Sequence, residues 1–274
     1  MPDVLVRTRA ATRRPGLVLA VAVLAFALLS AVAPALFTGQ DPLAGIPAEK
    51  MQGPSLGHLF GTDETGRDIF ARVVHGAALS LQATVLAVLV SLVAGSALGL
   101  LAGFRGGKLD TAIMRCVDVL LAIPSILLSL ALVTALGFGT TNIAIAVGVA
   151  NLAQFARLMR AEVLRVRSGV FVEAARAGGV RWTGVLGRHV LPNALGPVLA
   201  LATLTFGTAV LEVSALSFLG YGATPPTPEW GSLVAGGRGF LATAWWMTTF
   251  PGLTVAAVVL SANRLSRAIE GDVR

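Results

Sequence analysis

Cysteine is almost missing from this chain. Cys116 is the only one, which excludes an internal disulfide framework and any cysteine-rich metal site. Charge is scarce as well, since only 13% of the residues are Asp, Glu, Lys or Arg, whereas an ordinary soluble domain carries about a quarter. With 55% of the residues hydrophobic, there is more apolar surface than a soluble core can use, so the composition points to a membrane protein. The three histidines, His58, His75 and His189, are too scattered to form one metal site.

A nucleotide-binding loop is also lacking. Holding phosphates takes the pattern Gly-x-x-x-x-Gly-Lys-Ser/Thr, in which backbone amides and the lysine grip the oxygens. The nearest candidate, Gly106-Gly107-Lys108, is followed by Leu109 and has Ala102 where the first glycine belongs. Energy from ATP would therefore have to enter through another chain. An intramembrane enzyme would need a nucleophile beside a base, and no such pairing stands out.

What is present is a series of six apolar runs, each close to the roughly 20 residues that cross a bilayer as a helix. They are Leu17 to Phe37, Leu79 to Gly103, Ala112 to Leu136, Ile143 to Leu164, Ala194 to Phe218 and Ala244 to Leu265. Asn151, Gln154 and Arg157 interrupt the fourth. The 31 glycines and 13 prolines fall largely inside long apolar runs, where membrane helices tolerate them. The first run follows Arg13 and Arg14 and contains Ala31-Val32-Ala33, which resembles a signal cleavage site. Its apolar length exceeds the roughly 7–15 residues of a signal core, so it is read as an uncleaved first span.

The basic residues set the orientation. The formal charge is +7, which on a soluble chain would suggest nucleic acid. With the N-terminus in the cytoplasm, however, 17 of the 21 basic residues fall in inside segments, and only Lys50, Arg67, Arg72 and Arg238 fall outside. Cytoplasmic loops of membrane proteins carry this excess of Lys and Arg. The basic balance is thus a topology signal, and no nucleic acid is implied. The expected architecture is an all-α membrane protein with six transmembrane helices and both termini cytoplasmic. Its parts are a tail over 1-16, the first helix and an extracytoplasmic loop over 17-78, a core over 79-265 and a tail over 266-274.

Ionisable and polar residues within spans are costly, so each needs a role. Asp118 has Arg115 three residues before it, a spacing that lets the two pair on one helical face. Glu212 has no obvious local partner and is a candidate either for a contact with another membrane subunit or for a place along a pathway. Asn151 and Gln154 share a helical face, where they could line a pore or act as packing glue between helices. Trp230, Trp245 and Trp246 cluster near one boundary, as in an aromatic belt. In the loop before the second span, the carboxylates Asp63, Glu64 and Asp68 do not match a calcium loop. Asp63 is expected to cap a short helix bearing Ile69, Val73 and Ala77, which leads into the second span.

The segment 165-190 is basic, helical in pattern and broken by Gly178-Gly179. Its first helix is expected over Phe171 to Ala177, and Pro192 is placed to open the fifth span. Glu173-Ala174-Ala175 followed by Gly179, and then Leu191-Pro192, resembles the EAA loop of ATP-binding-cassette (ABC) importer permeases. Gly61-Thr62-Asp63-Glu64-Thr65-Gly66-Arg67-Asp68, Asp118 to Ser125 and Leu216 to Gly231 are similar to the C-type permease of the dipeptide and oligopeptide importers. The EAA pattern marks the superfamily, and the other segments narrow it to the peptide, opine and nickel group. One departure is Gly178, where many relatives carry a bulkier residue, a change that could loosen the turn.

The resemblance implies a type I importer permease fold in a bacterial inner membrane. It also implies a homologous permease as heterodimer partner, one or two cytoplasmic ATPases and an extracytoplasmic solute-binding protein. Glu173, Ala174, Ala175 and Gly179 would form the ATPase contact. No cofactor is expected on this chain, with ATP and Mg held by the partner ATPases. Peptides are the expected substrate, with nickel chelates, opines and glutathione as alternatives within the group. The rival from another class is an ion-coupled secondary transporter or channel, which would be expected to place ionisable groups near mid-membrane.

Overall fold

A computed structural model describes residues 15–273, with side chains described through Ala268. Most of the expected N-terminal tail, including Arg7, Arg9, Arg13 and Arg14, lies outside the described residues, as does Arg274. The described residues form helices and contain no strand beyond an isolated bridge between Thr62 and Asp68. The helices are α1 (Pro15–Val32), α2 (Ile69–Arg105), α3 (Gly107–Leu121), α4 (Ser125–Leu136), α5 (Thr140–Arg167), α6 (Val170–Ala177), α7 (Trp182–Val185), α8 (Leu191–Phe218), α9 (Trp230–Gly237) and α10 (Trp246–Val273).

By length and composition four stretches can each cross a membrane: α1, α2, α5 and the continuous run Trp182–Phe218. The third apolar run is not one straight helix. It splits into α3 and α4, bent by 96°, and makes a fifth crossing only if both halves count as one. The break falls at Pro124, which lacks an amide hydrogen and disfavours helical geometry in the residue before it. The freed Pro124 carbonyl starts α4 by accepting from the amides of Leu127 and Leu128. The sixth run lies in α10, where Asn263 and Arg264 interrupt the apolar length.

The short helix expected ahead of the second span is absent as a separate element. Helix α2 runs unbroken for 37 residues, or about 55 Å at 1.5 Å per residue, because Gly76 is accommodated within the helix and no proline lies near Ala78 to end it. Its cap also comes later in the chain than expected. Asp68, not Asp63, sits at the N-terminus, and its Oδ1 accepts from the Ala71 amide at 2.7 Å.

Residue contacts group the described chain into two compact units. The first holds residues up to Val85, Val133–Ala144 and those from Phe206 onward; the second holds Leu86–Leu132 and Ile145–Thr205. In the first unit, Ile69, Val73, Ala77 and Leu81 recur every four residues along α2 and pack with Val210, Trp230, Met247, Val255 and Val258. In the second, Phe155, Met159, Val163 and Val166 of α5 pack with Val172, Val185, Val190, Ala194 and Val198.

The second unit is built on a close helix pair. Gly95, Gly99 and Gly103, spaced by four, form a groove in α2 against α5. A Cβ added to Gly95 would lie 2.5 Å from the Leu152 carbonyl oxygen, and one added to Gly99 would lie 2.3 Å from that of Ala156. Gly148 of α5 reciprocates, since its Cβ would meet Val90 at 2.6 Å. The Gly148 carbonyl also accepts from the Ser91 hydroxyl at 2.8 Å. In lipid, helices gain no hydrophobic driving force from one another, so small residues that permit such van der Waals contact become the association surface.

Polar side chains close the ends of this unit. Arg167 donates to the Gly103 and Phe104 carbonyls at 2.7 and 3.3 Å, and so caps the last turn of α2. Arg160 grips Asp110 of α3 through two bonds, at 2.5 and 2.7 Å. Gly99→Ala is expected to lower the thermal unfolding midpoint of the purified protein, at a cost of about 1–3 kcal/mol for overpacking. Gly252→Ala in α10, where nothing lies within 4 Å, should leave stability unchanged or raise it by about 0.5–1 kcal/mol. Equal midpoints for the two variants would refute the glycine groove.

Candidate coupling site

Helix α6 begins after Gly169 and presents most of its surface to the outside. Val172 alone is fully buried, at 1% exposure, while Glu173 and Ala174 are exposed and Ala175 is half-buried. One valine thus pins the helix to the core of the second unit. The remaining small residues leave a low surface that another protein could approach closely. Val170 and Trp182 are 81% and 65% exposed, and apolar exposure of this kind marks a contact surface.

The helix ends in a complete Schellman turn. The Gly179 amide donates to the Arg176 carbonyl at 3.0 Å and the Val180 amide to the Ala175 carbonyl at 3.1 Å. Both bonds require the residue after the C-cap to be left-handed, and Gly179 has φ +79; an L side chain there costs roughly 1–2 kcal/mol. Gly178 has φ −73, an ordinary value, and a Cβ on it would make only normal contacts of 3.4–3.5 Å. The departure at Gly178 does not loosen the turn, because both capping bonds are in place.

After the turn, α7 enters α8 through a π turn over Leu186–Val190. Pro192 cannot bond to Arg188 in the α-helical pattern, and the Leu191 amide reaches back five residues to the Leu186 carbonyl. Proline therefore does not start a separate helix here. It sits just after a widened turn in a rod that is continuous from Trp182 to Phe218.

A second constellation lies within the first unit. The Asp63 Oδ1 accepts from the Thr65 amide at 2.8 Å, the Thr65 hydroxyl at 2.7 Å and the Arg67 amide at 3.0 Å, while Oδ2 accepts from Arg67 Nε at 2.6 Å. Gly66, at φ +82, closes the turn. A Cβ at Gly66 would lie 2.0 Å from the Ile46 carbonyl oxygen. Arg72, buried in the first turn of α2, donates to the carbonyls of Pro42 and Pro226 at 3.1 and 3.2 Å. His58 Nδ1 lies 2.8 Å from Asp68 Oδ2. The Gly61 to Asp68 segment and the Pro225 to Gly231 segment, far apart in sequence, are thus fastened together.

Glu229 completes that constellation. It is fully buried; its carboxylate accepts from the Ser217 hydroxyl and, at 3.0 Å, from the Ala223 amide. Next to it, Trp230 is buried with its indole N–H donating to the Val73 carbonyl at 2.9 Å.

Comparison with known proteins turns these shapes into an identification. Residues 95–274 match the family model described as "Binding-protein-dependent transport system inner membrane component". The chain belongs to this family. It is accordingly a multi-pass inner-membrane permease subunit of an ABC importer, which decides against the ion-coupled carrier. Over 240 residues it is 45% identical to the dipeptide transport system permease protein DppC of Alkalihalophilus pseudofirmus, covering 88% of this chain and 79% of the relative. It is 40% identical to the glutathione transport system permease protein GsiD of Pectobacterium atrosepticum, covering 78% and 71%. A solved structure of the MetNI methionine ABC transporter in an inward-facing conformation shares its fold, with a TM-score of 0.57 at 24% identity over 73% of this chain and 97% of that one.

The permease places the other residues singled out in the sequence as follows. Asp118 pairs not with Arg115 but with Arg157 of α5, at 2.5 Å, because a neighbouring helix supplies a better-placed guanidinium than the next turn. Asn151 is buried and donates to the Val147 carbonyl at 3.1 Å, whereas Gln154, one turn on, is exposed. Glu212 is half-buried in α8. Trp230 leaves the expected aromatic belt for the core. Trp246 donates to the Thr62 carbonyl at 3.2 Å, and only Trp245 stays largely exposed. No group of three or more potential metal ligands occurs among the described residues.

Two buried carboxylates should respond to pH with opposite signs. Burial alone would raise the Asp63 pKa, but the Thr65 hydroxyl, the Arg67 and Thr65 amides and the Arg67 side chain together hold it below the ordinary value. Its stabilisation is therefore present above the unfolded pKa of about 4 and is lost as pH falls through the folded one. Asp63→Asn should cost about 1.5–3 kcal/mol at neutral pH, a deficit in thermal unfolding that shrinks on acidification. Burial pushes the Glu229 carboxyl up, with the Ser217 and Ala223 bonds opposing. Its stabilisation is thus greatest below the unfolded pKa and declines as pH rises through the folded one. Glu229→Gln should match or exceed the parent at neutral pH, whereas Glu229→Ala, which strands two donors, should lose about 1–3 kcal/mol.

Proposed function

We propose that this permease forms, with a homologous partner permease, the translocation path of a peptide importer. The observation that carries the reading is the exposed α6 helix, pinned by one valine and ended by the left-handed Gly179. In the resembling family the corresponding loop seats in a groove of the ATPase. Glu173, Ala174, Ala175 and Gly179 are the proposed contact. ATP and Mg bind the partner ATPases, whether these are one or two chains, and this chain binds neither. An extracytoplasmic solute-binding protein delivers the solute. Six spans with both termini cytoplasmic, as the Lys and Arg distribution supports, put α6 on the same side as the ATPases.

In the proposed cycle, ATP draws the ATPases together, α6 moves with them, and the spans of the two permeases reorient around a shared path. Asn151, Gln154 and Glu212 are the candidates for residues along that path or for its packing. The dipeptide relative at 45% identity supports peptides as the substrate class. The glutathione relative supports a small modified peptide as the second reading. Di- and tripeptides, compared with glutathione, should stimulate ATP hydrolysis by the reconstituted importer in the presence of its binding protein. Stimulation by neither would overturn the substrate class.

The coupling role has its own test. Gly179→Ala should reduce ATP-driven uptake by about five- to thirtyfold, the range that corresponds to 1–2 kcal/mol, with the amount in the membrane unchanged. Replacing Glu173 should abolish uptake without blocking insertion. Gly178→Ala, at an ordinary φ, should transport normally. Normal uptake by both the Gly179 and Glu173 variants would remove the assignment.

A further inference from the structure

Within the first unit, α1 and α10 flank a half-open cavity of about 340 Å³ lined by Leu17, Leu260, Asn263, Arg264, Arg267 and Ala268. That volume falls in the range of small-ligand sites, roughly 300–1,000 Å³. We propose that this cavity binds the headgroup of an anionic phospholipid.

Three observations support the assignment. The first is positive charge: Arg264 and Arg267 meet no counter-charge among the described residues, and the side chain of Glu270, three residues past Arg267, lies outside them. The ion pairs among the described residues involve His58, Arg67, Arg72, Arg157, Arg160 and Arg165, and neither Arg264 nor Arg267. The helix itself gives Arg264 no acidic neighbour, because the positions three and four residues away are Leu260, Ser261, Arg267 and Ala268.

The second is preorganisation. A Cβ added to Gly16 would lie 2.8 Å from Arg264 Nε and 2.9 Å from Cζ, so the guanidinium rests against the bare backbone of the first turn of α1. A larger residue there would push it away. Arg264 is exposed, and this contact sets its guanidinium beside α1 at the mouth of the opening, where its planar fork can take a phosphate.

The third is the combination of charge with apolar wall. Leu17 and Leu260 line the same opening, and Leu260 is 69% exposed, as are Val18 and Leu253 on the same two helices at 52% and 57%. A soluble anion has no use for such walls, whereas a lipid places its phosphate on the arginines and its chains along the leucines. Basic pockets between transmembrane helices at the cytoplasmic boundary are suited to acidic headgroups, and the Lys and Arg distribution sets these ends of α1 and α10 on that side. Two lipid-anchored helix ends would hold the first span, which otherwise exposes most of its length.

The test uses the intact importer, delipidated in detergent and then supplied with phosphatidylglycerol or phosphatidylcholine, with retained lipid read by native mass spectrometry. Phosphatidylglycerol should be retained on the order of tenfold or more over phosphatidylcholine, and Arg264→Gln combined with Arg267→Gln should abolish the preference. The Lys-for-Arg pair should keep most of it. Equal retention of both lipids by the parent, or an unchanged preference in the Gln pair, would overturn the proposal, as would displacement of the lipid by millimolar inorganic phosphate. A photoactivatable phosphatidylglycerol gives a readout without any variant. Labelling should fall on peptides containing Leu17 or Leu260 to Ala268, and labelling confined to other regions would also overturn it.

Discussion

The constraint on which the second unit depends is the backbone-to-backbone approach of α2 and α5. Gly95, Gly99, Gly103 and Gly148 remove the side chains that would otherwise hold the two helices apart. Everything placed near their ends follows from that spacing. Arg167 can reach the terminal carbonyls of α2, and Arg160 can reach Asp110, only because the two helix axes lie so near one another. Helix α6 then hangs from the end of α5 by a two-residue link, so its position too depends on how closely α5 approaches α2.

Composition and run length made most of the membrane architecture legible, because hydrocarbon demands long uninterrupted apolar helices. The glycine groove could have been read as well, since Gly95, Gly99 and Gly103 repeat at an interval of four, but counting runs treats glycine as punctuation. The bend at Pro124 was hidden for the opposite reason. Its flanks are apolar on both sides, and a hydropathy count cannot distinguish a straight span from two halves at an angle. The helix-turn-helix at Gly178-Gly179 was correctly anticipated because φ > 0 leaves a chemical signature in sequence.

Partners across space were the least legible. Asp118 chose Arg157 over Arg115, and Trp230 became core instead of belt, since neither choice is encoded in local spacing. Asp68 takes the cap expected of Asp63 for a similar reason: the carboxylate that meets Arg67 serves the turn, and the one left over serves the helix. Polar residues in this chain are therefore poorly described by side-of-membrane bookkeeping alone. Several of the described ones, Asp63, Asp68, Arg72, Asp118, Arg160 and Arg167 among them, are fasteners held by a carbonyl, an amide or a counter-charge that the fold brings near.

The π turn before Pro192 has a mechanical meaning. There is no slack linker between Trp182 and Phe218, so a load applied at the Gly179 corner arrives as torque on one long rod instead of being dissipated in coil. The widened turn is the one place along the first stretch of that rod where the hydrogen-bond register is already shifted. Together with Pro197 further along, it interrupts the hydrogen-bond ladder of an otherwise regular rod, and interruptions of this kind are where long helices bend.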